Sequence, residues 1–209
     1  MFKKIKIVLI LALSLTALQA NADDTTSVYY SSMDIDVSAG LSTVKAADLD
    51  GFGITSSFSL SDRVSIIGDY TRLTGTVLSF PSTMTGIQAI VAYDLFNDLS
   101  LIEGTGSRLR AGIGYISQKV TIKVSSTEYR ESSKGATLGA NFEAALSEDI
   151  SIDASVSGLL KDFDPTIGIG ASYRVGSGKI RASYSAKEET IGLVKIKVSG
   201  FNIGYTFEY

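Results

Sequence analysis

The sequence predicts an all-β chain: a closed antiparallel up-and-down transmembrane β-barrel of about ten strands, with eight as the alternative count. Three observations predict it. From Asp23 onward no segment keeps an apolar period of 3.6, whereas alternation of period 2 recurs down to the C-terminus. The last ten residues, G-F-N-I-G-Y-T-F-E-Y, put Phe201, Ile203, Tyr205, Phe207 and Tyr209 on one face and Asn202, Gly204, Thr206 and Glu208 on the other. A terminal strand with a wholly apolar face would fray in water and suits a stave closing a barrel in lipid. Finally, the aromatic residues sort by depth. With both termini on the inner side, Phe52, Tyr70, Tyr115, Tyr184 and Phe201 fall near the outer strand ends, and Phe58, Tyr93, Tyr173, Phe207 and Tyr209 near the inner ends. Two such girdles around a band of Ile, Val, Leu and Ala mark two membrane interfaces. A soluble lipocalin-like periplasmic barrel would alternate equally well around a ligand cavity, but has no reason to sort its aromatics by depth.

Residues 1–22 read as a secretory signal peptide. Lys3, Lys4 and Lys6 are basic, Ile7 to Leu18 are apolar, and Ala20-Asn21-Ala22 offers small residues around a cleavage point. The apolar run is shorter than the roughly 18 residues of a spanning helix. Cleavage after Ala22 leaves residues 23–209 as the barrel and, with three lysines gone, moves the net charge from −3 to −6. That balance excludes a nucleic-acid partner, which calls for a basic face. With no Cys, the exported domain must draw stability from its core, from oligomerisation or from the bilayer.

The first strand is expected over Tyr29 to Ala39, with Met33, Ile35 and Val37 facing lipid and Ser32, Asp34 and Asp36 facing in. The second covers Leu49 to Leu60, showing Phe52, Ile54 and Phe58 outward, and Ser61-Asp62 turns the chain. The third spans Val64 to Leu73, where Ile67 interrupts the alternation. A loop around Pro81 leads to the fourth, Thr85 to Phe96, and a longer link runs from Asn97 to Ser107. The fifth starts at Arg108, with Leu109, Ala111, Ile113 and Tyr115 outward. Lys119 to Lys134 is polar yet still partly alternating, as in strands projecting past the membrane. The sixth covers Ala136 to Leu146 and the seventh Ile150 to Leu160. Lys161 to Pro165 is a loop. The eighth runs from Ile167 to Val175, the ninth from Lys179 to Lys187, and the closing strand follows. Its approach through Val194, Ile196 and Val198 has the opposite parity to Phe201 onward, which predicts a bulge near Ser199-Gly200. Connections are expected to be short on the inner side and longer outside.

The C-terminal residues Asn202, Gly204, Phe207 and Tyr209 resemble the assembly signal of outer-membrane β-barrels: a polar residue, Gly two later, and aromatics at the antepenultimate and last positions. The whole chain after residue 22 resembles the small OmpA/OmpX-type barrels of Gram-negative bacteria, within the outer-membrane β-barrel domain superfamily. The resemblance implies location in the outer membrane, contact with its lipid and lipopolysaccharide, and insertion by the barrel-assembly machinery.

The inward face is expected to hold a polar network of Asp34, Asp36, Asp69, Asp94, Arg108, Arg110, Glu143, Asp153, Arg174, Lys179, Arg181 and Glu208. Such charges must be paired or hydrated, because an isolated buried charge costs several kcal/mol. They either fill the barrel and set its register or line a narrow path for ions or small solutes. Gly51, Gly53, Gly112, Gly114, Gly168 and Gly170 on the same face either leave room for water or let neighbouring side chains pack closely.

No enzyme is expected. Without His or Cys, the Ser-His and Cys-His nucleophile pairs and imidazole-rich metal sites cannot be built. Asp34 and Asp36 form one pair of carboxylates on a face, and Asp162 to Asp164 a loop with calcium-like spacing, but an acidic loop beside a Pro is ordinary turn chemistry. The expectation is no catalytic residue, cofactor or metal. The function anticipated is structural, or surface interaction through the outer loops, with a ligand the sequence does not name. A narrow passive pore is the alternative. Lys119, Lys123, Arg130 and Lys134, set among Glu128, Tyr129 and Glu131, form either a solvated mixed-charge hairpin or an adhesive, lipopolysaccharide-contacting surface.

Overall fold

Ten strands form where the period-2 pattern predicts them, and most run on beyond it. They are β1 Thr25–Ala39, β2 Ser42–Ser61, β3 Val64–Val77, β4 Phe80–Asn97, β5 Ser107–Val124, β6 Thr127–Ala145, β7 Ile150–Leu159, β8 Thr166–Val175, β9 Gly178–Ile191 and β10 Val194–Glu208. This computed structural model describes residues 24–39, 42–97, 106–161, 165–191 and 194–209. The expected signal peptide, most of the long link after β4 and the acidic loop at 162–164 lie outside the described residues. Each strand pairs antiparallel with the next, and β10 pairs with β1 from Thr25–Glu208 to Ala39–Val194, closing the barrel. The count is ten, not eight.

Stepping from pair to pair around the wall, a path leaves β3 at Val64, passes through Tyr93, Ala111 and Ala140, climbs by way of Ser199, Asp34 and Asp48, and re-enters β3 at Thr76. This stagger of twelve residues tilts the strands by roughly 40° and sets a backbone radius of roughly 10 Å. Because each step climbs, residues at one height are not ladder partners. Allowing for the climb, Tyr30, Phe52, Tyr70, Tyr115, Tyr184 and Phe201 come to about one level and form an upper ring. The rings of Tyr30 and Phe52 meet edge to face at 5.7 Å. Phe58, Tyr93, Tyr173, Phe207 and Tyr209 form the lower ring. Between them Val28, Val91, Ile113, Ile169 and Ile203 stand exposed on the outer wall. In water this belt would be an aggregation liability; in lipid each such side chain contributes about 1.5–3 kcal/mol.

Several expectations are corrected above the upper ring. Pro81 lies in β4 opposite Thr76, above Ser82–Ile122, the topmost β4–β5 pair. There its missing N–H is tolerated, as at an edge. The reversal is the two-residue turn Leu78-Ser79, both with positive φ, the conformation that matches strand twist in tight hairpins. The β3–β4 connection is therefore a tight turn and not a long loop. Height comes from strand length: β5 and β6 stay paired up to Val124–Thr127, and only the turn Ser125-Ser126 separates them. No bulge interrupts β10 at Ser199-Gly200, which pairs in unbroken register with both β1 and β9. Irregularities occur instead at Ile35/Asp36, Ser59/Ser61 and Asp94/Phe96.

With no bulge in β10, Val194, Ile196 and Val198 point into the barrel while Lys195 and Lys197 point out. β1 behaves alike. Tyr30 and Val28 are on the outer wall, so by alternation Ser32, Asp34 and Asp36 are too, and Met33, Ile35 and Val37 face in. This reverses the face assignment expected for that strand. β1 leaves the lipid band just after Tyr30, and above the band the outside is water, so the apolar side turns inward.

Candidate functional site: a polar lower lumen under an apolar upper interior

Inside the barrel the lower half carries charge, arranged in clusters that run along the wall. Asp94 on β4, 3 % exposed, is bound by Arg108 and by Arg110 at 3.0 Å, both on β5. Asp153 on β7 receives Arg181 of β9 through Nε at 3.1 Å and Nη2 at 2.7 Å. This bidentate pair reaches across β8, where Gly170 clears the way: a Cβ there would collide with the Asp153 carboxylate. Glu208 on β10 takes Lys179 at 2.7 Å and Arg174 at 3.6 Å. Glu143 accepts from Ser151, which is also bonded to Ser172.

A fifth cluster turns on a residue that the alternation left unassigned. Tyr29 faces inward and reaches over β2, donating to Asp69 Oδ2 at 2.6 Å and meeting Thr71 Oγ1 at 2.7 Å; Thr55 also donates to Asp69. The ring lies where a Cβ on Gly53 would stand, and a Cβ on Gly204 would meet the Val28 carbonyl and the Cβ of Tyr29. Here the lumen glycines serve close packing, not space for water. Tyr29 lies one residue before the ring member Tyr30, and the switch of faces within that pair is the signal that places it inside. Water-sized space remains lower down. A cavity of about 440 Å³ opens at the lower mouth beside Arg108, Glu143, Arg174 and Lys179. Another of about 220 Å³ lies beside Tyr29, Asp69, Arg181 and Asn202.

Just above the upper ring the interior becomes apolar. Leu49 and Leu73 are 1 % and 2 % exposed and Ala47 is buried. Met33 is the ladder partner of Leu49, and Met84 that of Leu73. Ile35 and Val198 are partners in turn. On β5, Ile116, Val120 and Ile122 continue the inward face, with the polar Gln118 among them. On the side formed by β10 and β1 to β5 the lumen therefore ends in Leu, Met, Ile and Val, while Lys187 of β9 and Ser133 and Glu131 of β6 face inward beside them.

Asp34 and Asp36, expected in the lumen, stand on the outer surface instead. Lys45 Nζ lies 2.9 Å from both Asp34 and Asp48, and these two carboxylates hold the ammonium above the usual lysine range. Asp69, Asp94, Arg108, Arg110, Glu143, Asp153, Arg174, Lys179, Arg181 and Glu208 all point inward. In the terminal motif, Asn202 and Gly204 face the lumen, and Phe207 and Tyr209 face the lower rim, where Tyr209 N donates to the Asp24 carbonyl. Among the described residues no group of three or more acidic side chains is placed to hold a metal ion.

The sequence pattern of the outer membrane protein beta-barrel domain matches residues 8–207. The chain belongs to that family. Membership places it in the outer membrane, consistent with the exposed aliphatic belt and its two aromatic rings. No curated protein sequence matches it. Among solved structures it is similar to the outer membrane protease OmpT of Escherichia coli, with 10 % identity, 90 % of this chain and 97 % of that one covered, and a TM-score of 0.51. It is also similar to Neisserial surface protein A, with 14 % identity, 88 % and 97 % covered and a TM-score of 0.42. A third is Ail, the attachment invasion locus protein of Yersinia pestis, in complex with the heparin analogue sucrose octasulfate. There the identity is 11 %, coverage 88 % and 99 %, and the TM-score 0.40. At 10 % identity the likeness to OmpT shows the fold alone.

Proposed function

We propose that this family member acts at the cell surface as a non-conducting, non-catalytic barrel whose tall upper wall is an interaction surface. The observation that supports this is the apolar layer of Met33, Leu49, Leu73 and Met84 on the inward face of β1 to β4 above the upper ring. Ions meeting such a layer lose hydration and gain no ligand in return, so it blocks them by dewetting. The lack of His and Cys agrees with a role that involves no chemistry. In this reading residues 1–22 are a cleaved signal peptide, the lower end faces the periplasm, and the upper end meets lipopolysaccharide and an external ligand.

Planar-bilayer recording tests the closed interior. The folded protein is expected to show no discrete openings, and the variant Met33→Ser, Leu49→Ser, Leu73→Ser to show them; steady conductance of the unaltered protein would refute the reading. A narrow passive pore is the second reading, favoured by the cavities in the lower lumen, and the same recording decides it. The terminal strand is proposed to be the segment read by the barrel-assembly machinery. Phe207→Ala with Tyr209→Ala is expected to lower the heat-modifiable protein in the outer-membrane fraction several-fold, and normal insertion would show that the aromatics do not serve assembly.

A further inference from the structure

The outer wall above the upper ring divides by charge. On β9, β10, β1 and β2 the first outward charged residues are Glu188, Lys197, Asp34 and Asp50. Acids and bases there sit together: Lys195 pairs with Glu188 at 2.6 Å, Lys45 pairs with Asp34, and Lys197 stands opposite Asp36 and Glu188. On β3 to β6 the first outward charges are Arg72, Lys119 and Lys134, with Lys123 and Arg130 above them. The lone acid on that face, Glu128, is taken by Arg130, which holds its carboxyl below the usual range. Among the described residues no acid forms an ion pair with Arg72, Lys119 or Lys134.

These cations are set into a ladder. Arg72 faces Thr85, Thr85 faces Lys119, and Lys119 faces Ser132, a single cross-strand row over four strands; Ser117 stands beside Lys134. Neighbouring strands lie about 4.8 Å apart, so the hydroxyl of Thr85 separates two cations by roughly 10 Å. That spacing suits two anionic groups on one headgroup better than one small anion, with hydroxyls free to donate between them. Depth selects the source. Arg72 is two residues above Tyr70 and the partner of Phe52, both in the upper aromatic ring, so the row begins where lipid chains end.

We propose that the row Arg72, Thr85, Lys119 and Ser132, with Lys134, is a binding site for the phosphorylated headgroup of an outer-leaflet lipid. This rests on the upper wall being an interaction surface and gives it a side and a chemical class. The acid-rich half of the wall repels the same headgroups, so lipid gathers on one flank and leaves the other open.

Native mass spectrometry of the folded protein, released from phosphatidylcholine nanodiscs containing diphosphoryl or monophosphoryl lipid A, tests this. Diphosphoryl lipid A should be retained, and the monophosphoryl form several-fold less. Arg72→Ala with Lys119→Ala and Lys134→Ala should cut retention about 100-fold, since each cation near an anionic surface contributes about fivefold. Lys45→Ala with Lys195→Ala and Lys197→Ala should leave retention within twofold. Heat-modifiable mobility reports folding for each, and the single variant Lys119→Gln, expected to lose about fivefold, keeps the test open should the triple variant not fold. Equal retention by both triple variants, retention indifferent to phosphate number, or full displacement by millimolar inorganic phosphate would overturn the site. None of these outcomes bears on conductance, so the closed interior stands or falls separately.

Discussion

Below the upper aromatic ring most residues facing the lumen are polar and most facing outward are apolar. Above the ring β1, β5 and β10 largely carry the opposite assignment, while on β6 and β9 the polar Ser133, Glu131 and Lys187 still face in. Along β5 the outward face reads Leu109, Ala111, Ile113 and Tyr115, then Ser117, Lys119, Thr121 and Lys123. The inward face reads Arg108, Arg110, Gly112 and Gly114, then Ile116, Gln118, Val120, Ile122 and Val124, apolar but for Gln118. β1 and β10 reverse at the same level. The strands themselves do not change; the solvent outside them does. In lipid the apolar side must face out and the lumen keeps the polar groups, whereas in water the wall folds like a soluble sheet with its apolar side covered. Ion pairs divide in the same way. Below, Asp94 is buried between two arginines; above, Lys45 with Asp34 and Asp48 is half exposed on the outside.

Three substitutions would break or sharpen this contrast. The largest effect is expected from Leu49→Asp, which puts an unpaired carboxylate into the apolar layer and costs about 3–5 kcal/mol; guanidinium unfolding of the vesicle-inserted protein measures it, and a loss below 1 kcal/mol would mean the upper interior is wet. Asp94→Ala comes next. It strands Arg108 and Arg110, and because both guanidinium groups are partly hydrated the cost falls below that of a dry pair, at about 2–3 kcal/mol in the same assay. Lys45→Ala is expected to leave the unfolding midpoint unchanged, as exposed pairs contribute little and salt screens them. A Lys45 effect as large as that of Asp94 would erase the distinction between the two levels.

Much of this was legible in the sequence, and the errors share one cause. The alternation located every strand, and it named the girdle residues because aromatic side chains sort by depth whatever the register. It misplaced Asp34 and Asp36 because Met33, Ile35 and Val37 were matched to lipid as if β1 crossed the band there, when the crossing is made by Val28 and Tyr30. The same slip supplied a bulge at Ser199-Gly200: two parities in one strand look like a register defect if the solvent is taken to be uniform. The polar stretches around Pro81 and Lys119 to Lys134 read as loops or projections, since only one of their faces is apolar and that face carries few large side chains.

By itself the sequence determined the class, the approximate strand number, the depth of the aromatics and the inward charges of the lower lumen, all of which follow from local alternation and composition. The tertiary structure decided which side of each strand is outside. Alternation is unchanged when the two faces are exchanged, and only a closed ladder, with its stagger of twelve residues, assigns each residue a height. Height in turn decides whether lipid or water stands beyond the wall. It also brought Arg72, Lys119 and Lys134 onto one flank from three strands, a grouping that no single stretch of the chain contains.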